Sequence, residues 1–203
     1  MNYPGGIRPK TAAEGNALAH RNARKKGGKI AAGNRGMDFE ADINASNDYY
    51  REKELCLVTK RPTPINIVKV DYTHGPIITN AYFQTQSTTD YNGVYKGRYI
   101  DFEAKSTHSK TSFSLANIPI QQIEHLERVI FHGGIAFFLI HWATLKKTFL
   151  VEAKDVIAFY RERARASISL SWMEEKGHLV KEGYRPRYDY LPLVEEIFFP
   201  SLH

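Results

Sequence analysis

The run Tyr99-Ile100-Asp101-Phe102-Glu103-Ala104-Lys105 alternates apolar and charged residues with a period of two. Only a strand keeps such a pattern on two separate faces. Ile100, Phe102 and Ala104 then point towards a core, and Tyr99, Asp101, Glu103 and Lys105 point away from it. Glu103 and Lys105 project side by side from that second face. Upstream, the segment around Asp90 is polar and rich in Asn and Gly, which predicts a turn. From there Asp90 can fold back onto Glu103 and Lys105. Two carboxylates and an ammonium around one point suit phosphodiester hydrolysis. Carboxylate oxygens hold a hard divalent cation such as Mg²⁺. A metal so held acidifies water and polarises a phosphoryl oxygen. The lysine stabilises the charge that develops or orients the attacking water.

Glu-x-Lys alone is a weak signal. Glu152-Ala153-Lys154 repeats it, and Glu174-Glu175-Lys176 fits the looser acid-x-Lys pattern. Only Glu103 combines clean alternation with an aspartate presented just upstream. The plainer alternative for Asp90, Glu103 and Lys105 is a solvated sheet face carrying a surface ion pair.

At 203 residues the chain has the length for one domain with a full core. Its formal charge of +6 is unevenly spread. Residues 1–36 hold Arg8, Lys10, Arg21, Arg24, Lys25, Lys26, Lys29 and Arg35 against the single acid Glu14, and residues 37–203 are close to neutral. The division predicted is therefore a basic, flexible arm over 1–36 and a folded domain over 37–203. Such an arm suits phosphates, with affinity that falls steeply with salt; a solubilising tail is the alternative. No apolar stretch follows the basic residues as a secretory signal requires, no run approaches a membrane span, and the lone Cys56 forms no intrachain disulfide. A cytoplasmic location is expected.

Beyond the arm, Met37 to Glu52 reads as a helix with Phe39, Ile43 and Tyr50 along one side and Glu40 in its first turn, where a glutamate favours the helix dipole. Strands are predicted at Leu55–Val58, Ile65–Val70, Ile77–Phe83, Ile135–Trp142 and Lys147–Val151. The pair around the Gly75-Pro76 turn forms a projecting hairpin, about residues 60–83. Lys60, Arg61, Tyr82 and Phe83 flank it. Aromatics beside basic residues can stack on unpaired bases, or they pack in the core. Pro119 to His132 has helical spacing through Ile120, Ile123, Leu126 and Ile130. Gln122 lies beside that stripe and, from the residues alone, reads as a surface glutamine. A helix over Ala153–Arg165 completes a mixed α/β domain. The tail segment GYRPRYDY (Gly183–Tyr190) suits a DNA-facing loop. Zinc spacings, a P-loop, a Rossmann glycine pattern and a Gly-x-Ser-x-Gly elbow are absent from the sequence.

Asp90 followed by Glu103-x-Lys105 resembles the restriction-endonuclease-like nucleases with the PD-(D/E)xK signature, with Thr89 where that signature has proline. More narrowly the chain resembles the RecU family of Holliday junction resolvases. The resemblance is carried by Asn34-Arg35-Gly36-Met37, KRPTP (Lys60–Pro64), Ala81-Tyr82-Phe83, Ser87 to Lys105, Thr111-Ser112-Phe113, QIEH (Gln122–His125) and Gly183 to Tyr190. It implies a restriction-endonuclease-like core of a mixed β-sheet flanked by helices. It further implies metal held by Thr88, Asp90, Glu103 and Gln122, with Lys105 as transition-state stabiliser. The hairpin becomes a stalk entering the centre of a four-way junction, and Arg35 a phosphate contact.

The function expected is thus a structure-selective, Mg²⁺-dependent endonuclease (Mn²⁺ as substitute) that resolves Holliday junctions in recombination and repair, leaving 5′-phosphate ends. Paired symmetric nicks suit a twofold homodimer. Recombinase and branch-migration proteins are partners implied by the family. Two rivals stand beside it: a duplex-cutting nuclease of the same fold, and a non-catalytic architectural DNA-binding protein using the basic arm.

Overall fold

Apolar strands buried on both faces build the centre of the molecule. The computed structural model describes residues 27–84 and 88–200, with side chains from Asp38 onward. The chain divides into two units, Met1–Asp38 and Phe39–His203. The elements, in order, are α1 (Gly27–Glu52), β1 (Leu57–Lys60), β2 (Ile65–Asp71), β3 (Ile77–Phe83), β4 (Tyr91–Tyr95), β5 (Arg98–Thr107) and β6 (Ser112–Ser114). A 3₁₀ turn at Leu115–Asn117 leads into α2 (Ile120–Phe131), β7 (Ile135–Trp142), β8 (Lys147–Glu152), α3 (Ala153–Glu162), β9 (Ser167–Ser169) and α4 (Leu170–Lys176). Last come β10 (His178–Leu179), β11 (Lys181–Glu182), β12 (Tyr188–Asp189) and α5 (Leu191–Phe198). None of the described helices is long and apolar enough to cross a membrane.

The main sheet has six strands in the order β1-β4-β5-β7-β8-β10. The β5–β7 pair is parallel and every other pair antiparallel. A parallel pair needs a crossover, and α2 supplies it. The result is a mixed sheet flanked by helices, the α/β core expected from the sequence. Alternation along β7 divides the interior in two. Ile135, Phe137 and Leu139 join Ile100, Phe102, Tyr91 and Tyr190 in one cluster. Ala136, Phe138 and Ile140 join Ile123, Leu126, Trp142 and Val156 in the other. The charged face of β5 therefore lies against the layer containing α2, not against solvent: Asp101 and Glu103 are fully buried.

Three expectations change. First, α1 begins at Gly27 rather than Met37, so the last ten residues assigned to the arm are helical. The glycines at 27, 28, 33 and 36 disfavour a helix and had suggested a later start. Glu40 consequently lies in the helix body, and no acid occupies the first turn; its carboxylate ion-pairs with Lys60. The rest of the basic arm, residues 1–26, falls outside the described residues, as does the Arg35 side chain. Second, the turn predicted around Asp90 is limited to Thr88–Asp90, and the Asn92-Gly93 that suggested it belongs to strand β4. The reversal comes at Lys96 and Gly97, both with positive φ (47° and 77°), the geometry a two-residue hairpin favours. Gly93 serves a different need. A Cβ there would sit 2.0 Å from the Leu57 carbonyl oxygen, so glycine lets β1 approach β4. Third, in α2 Ile130 is partly exposed, while Gln122 and Val129 are buried.

The predicted hairpin forms: β2 and β3 pair antiparallel as a two-stranded sheet of their own, with register irregularities near Val68. Ile65, Ile67, Val68, Tyr72, Ile77, Ile78, Tyr82 and Phe83 are all exposed on it. Core packing is thereby excluded for Tyr82 (60% exposed) and Phe83 (79% exposed). The GYRPRYDY segment is not a free loop. Its β11–β12 hairpin docks on α1, with Tyr188 buried, Arg185 paired to Glu52 and Arg187 to Asp42 and Glu182.

Candidate active site

Two neighbouring strands and one helix bring five of the predicted residues together. Asp90 stands directly before β4, Glu103 lies on β5 beside it, and Thr88 precedes Asp90. The Asp90 backbone N–H donates to Glu103 Oε2 at 2.9 Å. Gln122, in the first turn of α2, reaches the same place: its Nε2 donates to the Thr88 carbonyl oxygen at 3.5 Å. Lys105 follows Glu103 on the same face of β5, with Nζ 2.5 Å from Glu103 Oε1. This pair differs from the look-alike Glu152–Lys154, a 2.8 Å ion pair whose lysine is 62% exposed. Lys105 is 22% exposed and Glu103 wholly buried.

Burial sets the electrostatics. Desolvation raises the Glu103 carboxyl from the usual 4.5 to about 7. The Lys105 ammonium opposes that rise, and the charge of Asp90 reinforces it. Removing a carboxylate from water is costly unless opposite charge compensates, and one lysine does not fully do so here. Two oxygens are also under-used. Despite the nearby ammonium, Glu103 Oε1 has no hydrogen bond of acceptable geometry, and the buried Gln122 Oε1 has no donor among the described residues. Buried acceptors are normally satisfied. Two buried acceptor oxygens, one anionic, on side chains that both bond the Thr88–Asp90 segment, are the kind of ligand a hard cation takes. Among the described residues no three His, Cys, Asp or Glu side chains form a metal-binding group. The oxygens at hand are carboxylate and amide, and with waters completing the shell they suit Mg²⁺.

A third carboxylate, Asp101, went unnoticed because its place in the alternation makes it look like one more surface acid. It is fully buried. Arg61 Nη2 lies 2.6 Å from its Oδ2, and Tyr99 and His125 each approach the same oxygen at 2.8 Å. The Thr89 hydroxyl donates to Oδ1. Burial alone would raise the Asp101 carboxyl, but hydrogen bonds from His125, Arg61 and Thr89 outweigh it and hold the group below the usual carboxylate range. A polar residue two positions before Glu103, with Arg61 and His125 elsewhere in the chain, was the available signal. Nothing in the spacing connects them.

The predicted DNA contacts fall in two groups. Tyr82 and Phe83 stand exposed at the end of β3. Arg61 turns inward: its guanidinium is taken up by Thr89, Tyr99 and Asp101. Lys60 is paired with Glu40 and part-exposed.

Comparison with known proteins gives the chain its relatives. The family described as recombination protein U, RecU, matches residues 34–196. A Holliday junction resolvase RecU from Geobacillus thermodenitrificans is 45% identical, over 98% of this chain and 98% of its own. One from Lactococcus lactis subsp. cremoris is 44% identical over 97% and 98%, and one from Streptococcus thermophilus 47% identical over 85% and 89%. Among solved structures, Hjc, a Holliday junction resolvase of Archaeoglobus fulgidus, aligns with 70% of this chain and 94% of its own at 13% identity and a TM-score of 0.41. With a family match over most of its length and relatives near half identity along nearly all of it, this chain belongs to the RecU family.

Proposed function

We propose that this protein is a structure-selective endonuclease that resolves Holliday junctions with a divalent cation, Mg²⁺ by preference and Mn²⁺ as substitute. One observation carries the site assignment: among the described residues, two buried side-chain oxygens lack a hydrogen-bond donor, Gln122 Oε1 and the Glu103 Oε1 that is held only by its ion pair with Lys105. Relatives along nearly the whole chain are junction resolvases by name, and that supports the substrate.

Asp90 and Glu103 would anchor the cation, with Thr88 and Gln122 completing or orienting its shell. A cation held there supplies an acidified water and neutralises charge on the phosphoryl oxygens. The chain's own residues do the rest. Lys105, kept beside Glu103 by β5, presents an ammonium to the charge developing on the scissile phosphate. The Asp90 N–H fixes one Glu103 oxygen, and the other pairs with the Lys105 ammonium. The exposure of Tyr82 and Phe83 on the hairpin supports a role for them in stacking on unpaired bases at a branch point. Two nicks in strands of like polarity call for two such sites, which a twofold homodimer provides. Hydrolysis would leave 5′-phosphate ends. Recombinase and branch-migration proteins are the expected partners, and a cytoplasmic location follows from that work.

The test is strand cleavage of a synthetic four-way junction against matching linear duplex, with Mg²⁺ or EDTA, alongside Asp90→Asn. Paired nicks that require Mg²⁺, spare the duplex and vanish in the variant are expected. Equal cutting of duplex would retain the nuclease and remove junction selectivity. Junction binding without cutting would turn the assignment to an architectural DNA-binding protein.

A further inference from the structure

The turn carrying Thr88 and Asp90 is held from behind by groups outside the proposed metal set. The Arg61 backbone N–H donates to the Asp90 carbonyl oxygen at 2.7 Å. Its guanidinium donates through Nη1 to the Thr89 carbonyl oxygen at 3.1 Å and to Thr89 Oγ1 at 2.6 Å. The same guanidinium grips both oxygens of Asp101, at 3.4 and 2.6 Å, and the Thr89 hydroxyl closes the ring by donating to Asp101 Oδ1. His125 joins from α2, with Nε2 2.8 Å from Asp101 Oδ2. His125 lies three residues beyond Gln122, on the neighbouring turn of the same helix face. One buried carboxylate on β5, two residues before Glu103, therefore ties together the loop after β1, the Asp90 turn and α2. Those are the elements that deliver Asp90, Thr88 and Gln122 to Glu103.

A buried ion pair is seldom a stability device, since well-packed apolar residues of similar volume often serve as well. Its directed bonds fix geometry instead. Oxygen ligands must be placed within about 0.5 Å for a site to bind well, and the partners behind a ligand commonly govern metal affinity. We propose that Asp101, Arg61, Thr89 and His125 form a positioning network that sets Thr88, Asp90 and Gln122 against Glu103, and that its integrity determines the site's affinity for a divalent cation. This rests on the metal-site assignment above. It also gives Arg61 a role inside the fold in place of the DNA contact expected from the sequence. Arg61 stands four residues before β2, so the clamp fixes the root of the hairpin as well.

The experiment measures Mn²⁺ binding to the full chain without DNA, by electron paramagnetic resonance of free Mn²⁺, together with the melting temperature. Thr89→Val keeps the volume and removes the hydroxyl; Thr89→Ser keeps the hydroxyl and removes a methyl. The valine variant should bind Mn²⁺ at least about tenfold more weakly. The serine variant should stay within about threefold of wild type, although it loses more packing. Glu103→Gln is the control. If it binds Mn²⁺ as wild type does, the metal-site assignment itself fails. If it loses Mn²⁺ while Thr89→Val binds normally, the network is overturned and the site stands. Weakening of both Thr89 variants in proportion to their melting temperatures would also overturn it, by reducing Thr89 to packing. Should Thr89→Val fail to fold, Arg61→Lys decides: it retains the charge without the planar fork, so about tenfold weaker Mn²⁺ binding is expected, and wild-type affinity refutes the proposal.

Discussion

Replacing Glu103 by Gln should stabilise the metal-free protein while destroying its site. Folding carries the Glu103 carboxyl from its usual 4.5 up to about 7, chiefly by desolvation. The folded state thus binds a proton more tightly than the unfolded chain. Stability from this group is fully present below about pH 4.5 and is lost as pH rises through about 7. Each tenfold in proton affinity is worth about 1.4 kcal/mol, so the whole loss is about 3 kcal/mol above pH 7. A glutamine at this position would carry no such loss. Its amide oxygen can still accept from the Asp90 N–H, but its nitrogen meets Lys105, which takes back part of the gain. A net advantage of about 2 kcal/mol remains, or about 4–8 °C in melting temperature for a domain of this size. The assay is thermal unfolding of both proteins in EDTA from pH 5 to 8.5, repeated at pH 8 with Mg²⁺. The curves should nearly coincide at pH 5 and separate as pH rises, and Mg²⁺ should stabilise only the wild type, by mass action. A variant less stable than wild type at pH 8 in EDTA would refute the account of Glu103 as an under-compensated buried charge.

Other outcomes follow from the same structure. Gly93→Ala forces a Cβ against the Leu57 carbonyl oxygen and Val58 Cα; denaturant melts should show a loss of about 3 kcal/mol, and an unchanged midpoint would mean that β1 yields freely. Tyr82→Ala with Phe83→Ala should leave the melting temperature within about 2 °C, because both rings are exposed. Junction affinity should fall at least about tenfold through lost stacking, and unchanged affinity in a gel-shift titration would remove these rings from the interface. The Cys56 thiol, buried and pushed up to about 11 by desolvation, should react with a disulfide reagent only as fast as the domain unfolds, so its rate should rise with denaturant in step with loss of structure.

How much was legible beforehand depended on whether the deciding physics was local. β5 could be read from its own alternation, and β7 from an apolar run bounded by Gly134 and Thr144. The β2–β3 hairpin showed in two strand-like runs around Gly75-Pro76. Asp90, Glu103 and Lys105 stood out because chemistry and spacing agreed. What lay beyond reach was what covers each face. Alternation made Asp101 and Glu103 look solvated, and only the crossover of α2 over that side of the sheet buries them. Gln122 looked like a surface residue for the same reason. Asn92-Gly93 carried the residues of a turn, yet Tyr91 and Tyr95 on either side are buried, and their packing made the segment a strand. Arg61 looked like a DNA contact because its partner, Asp101, lies forty positions away.

The docking of the last strands on α1 bears on the order in which this molecule can be made. Ser46 Oγ accepts from the Tyr188 N–H at 2.9 Å, and the Tyr50 hydroxyl donates to Asp189 Oδ1 at 2.9 Å. Tyr50 and Tyr190 meet edge to face inside one core cluster with Phe102 and Phe137. The first of the described helices is therefore sealed by residues synthesised among the last. While a ribosome is still working through the intervening 130-odd positions, that face of the sheet has no permanent cover, and its tyrosines and phenylalanines are exposed to any apolar neighbour. Contacts so distant in sequence form slowly, and open apolar surface on an unfinished chain favours association. A nascent chain halted before Tyr188 should remain protease-sensitive throughout the α1 side of the sheet, and resistance should appear only when the final segment has cleared the exit tunnel.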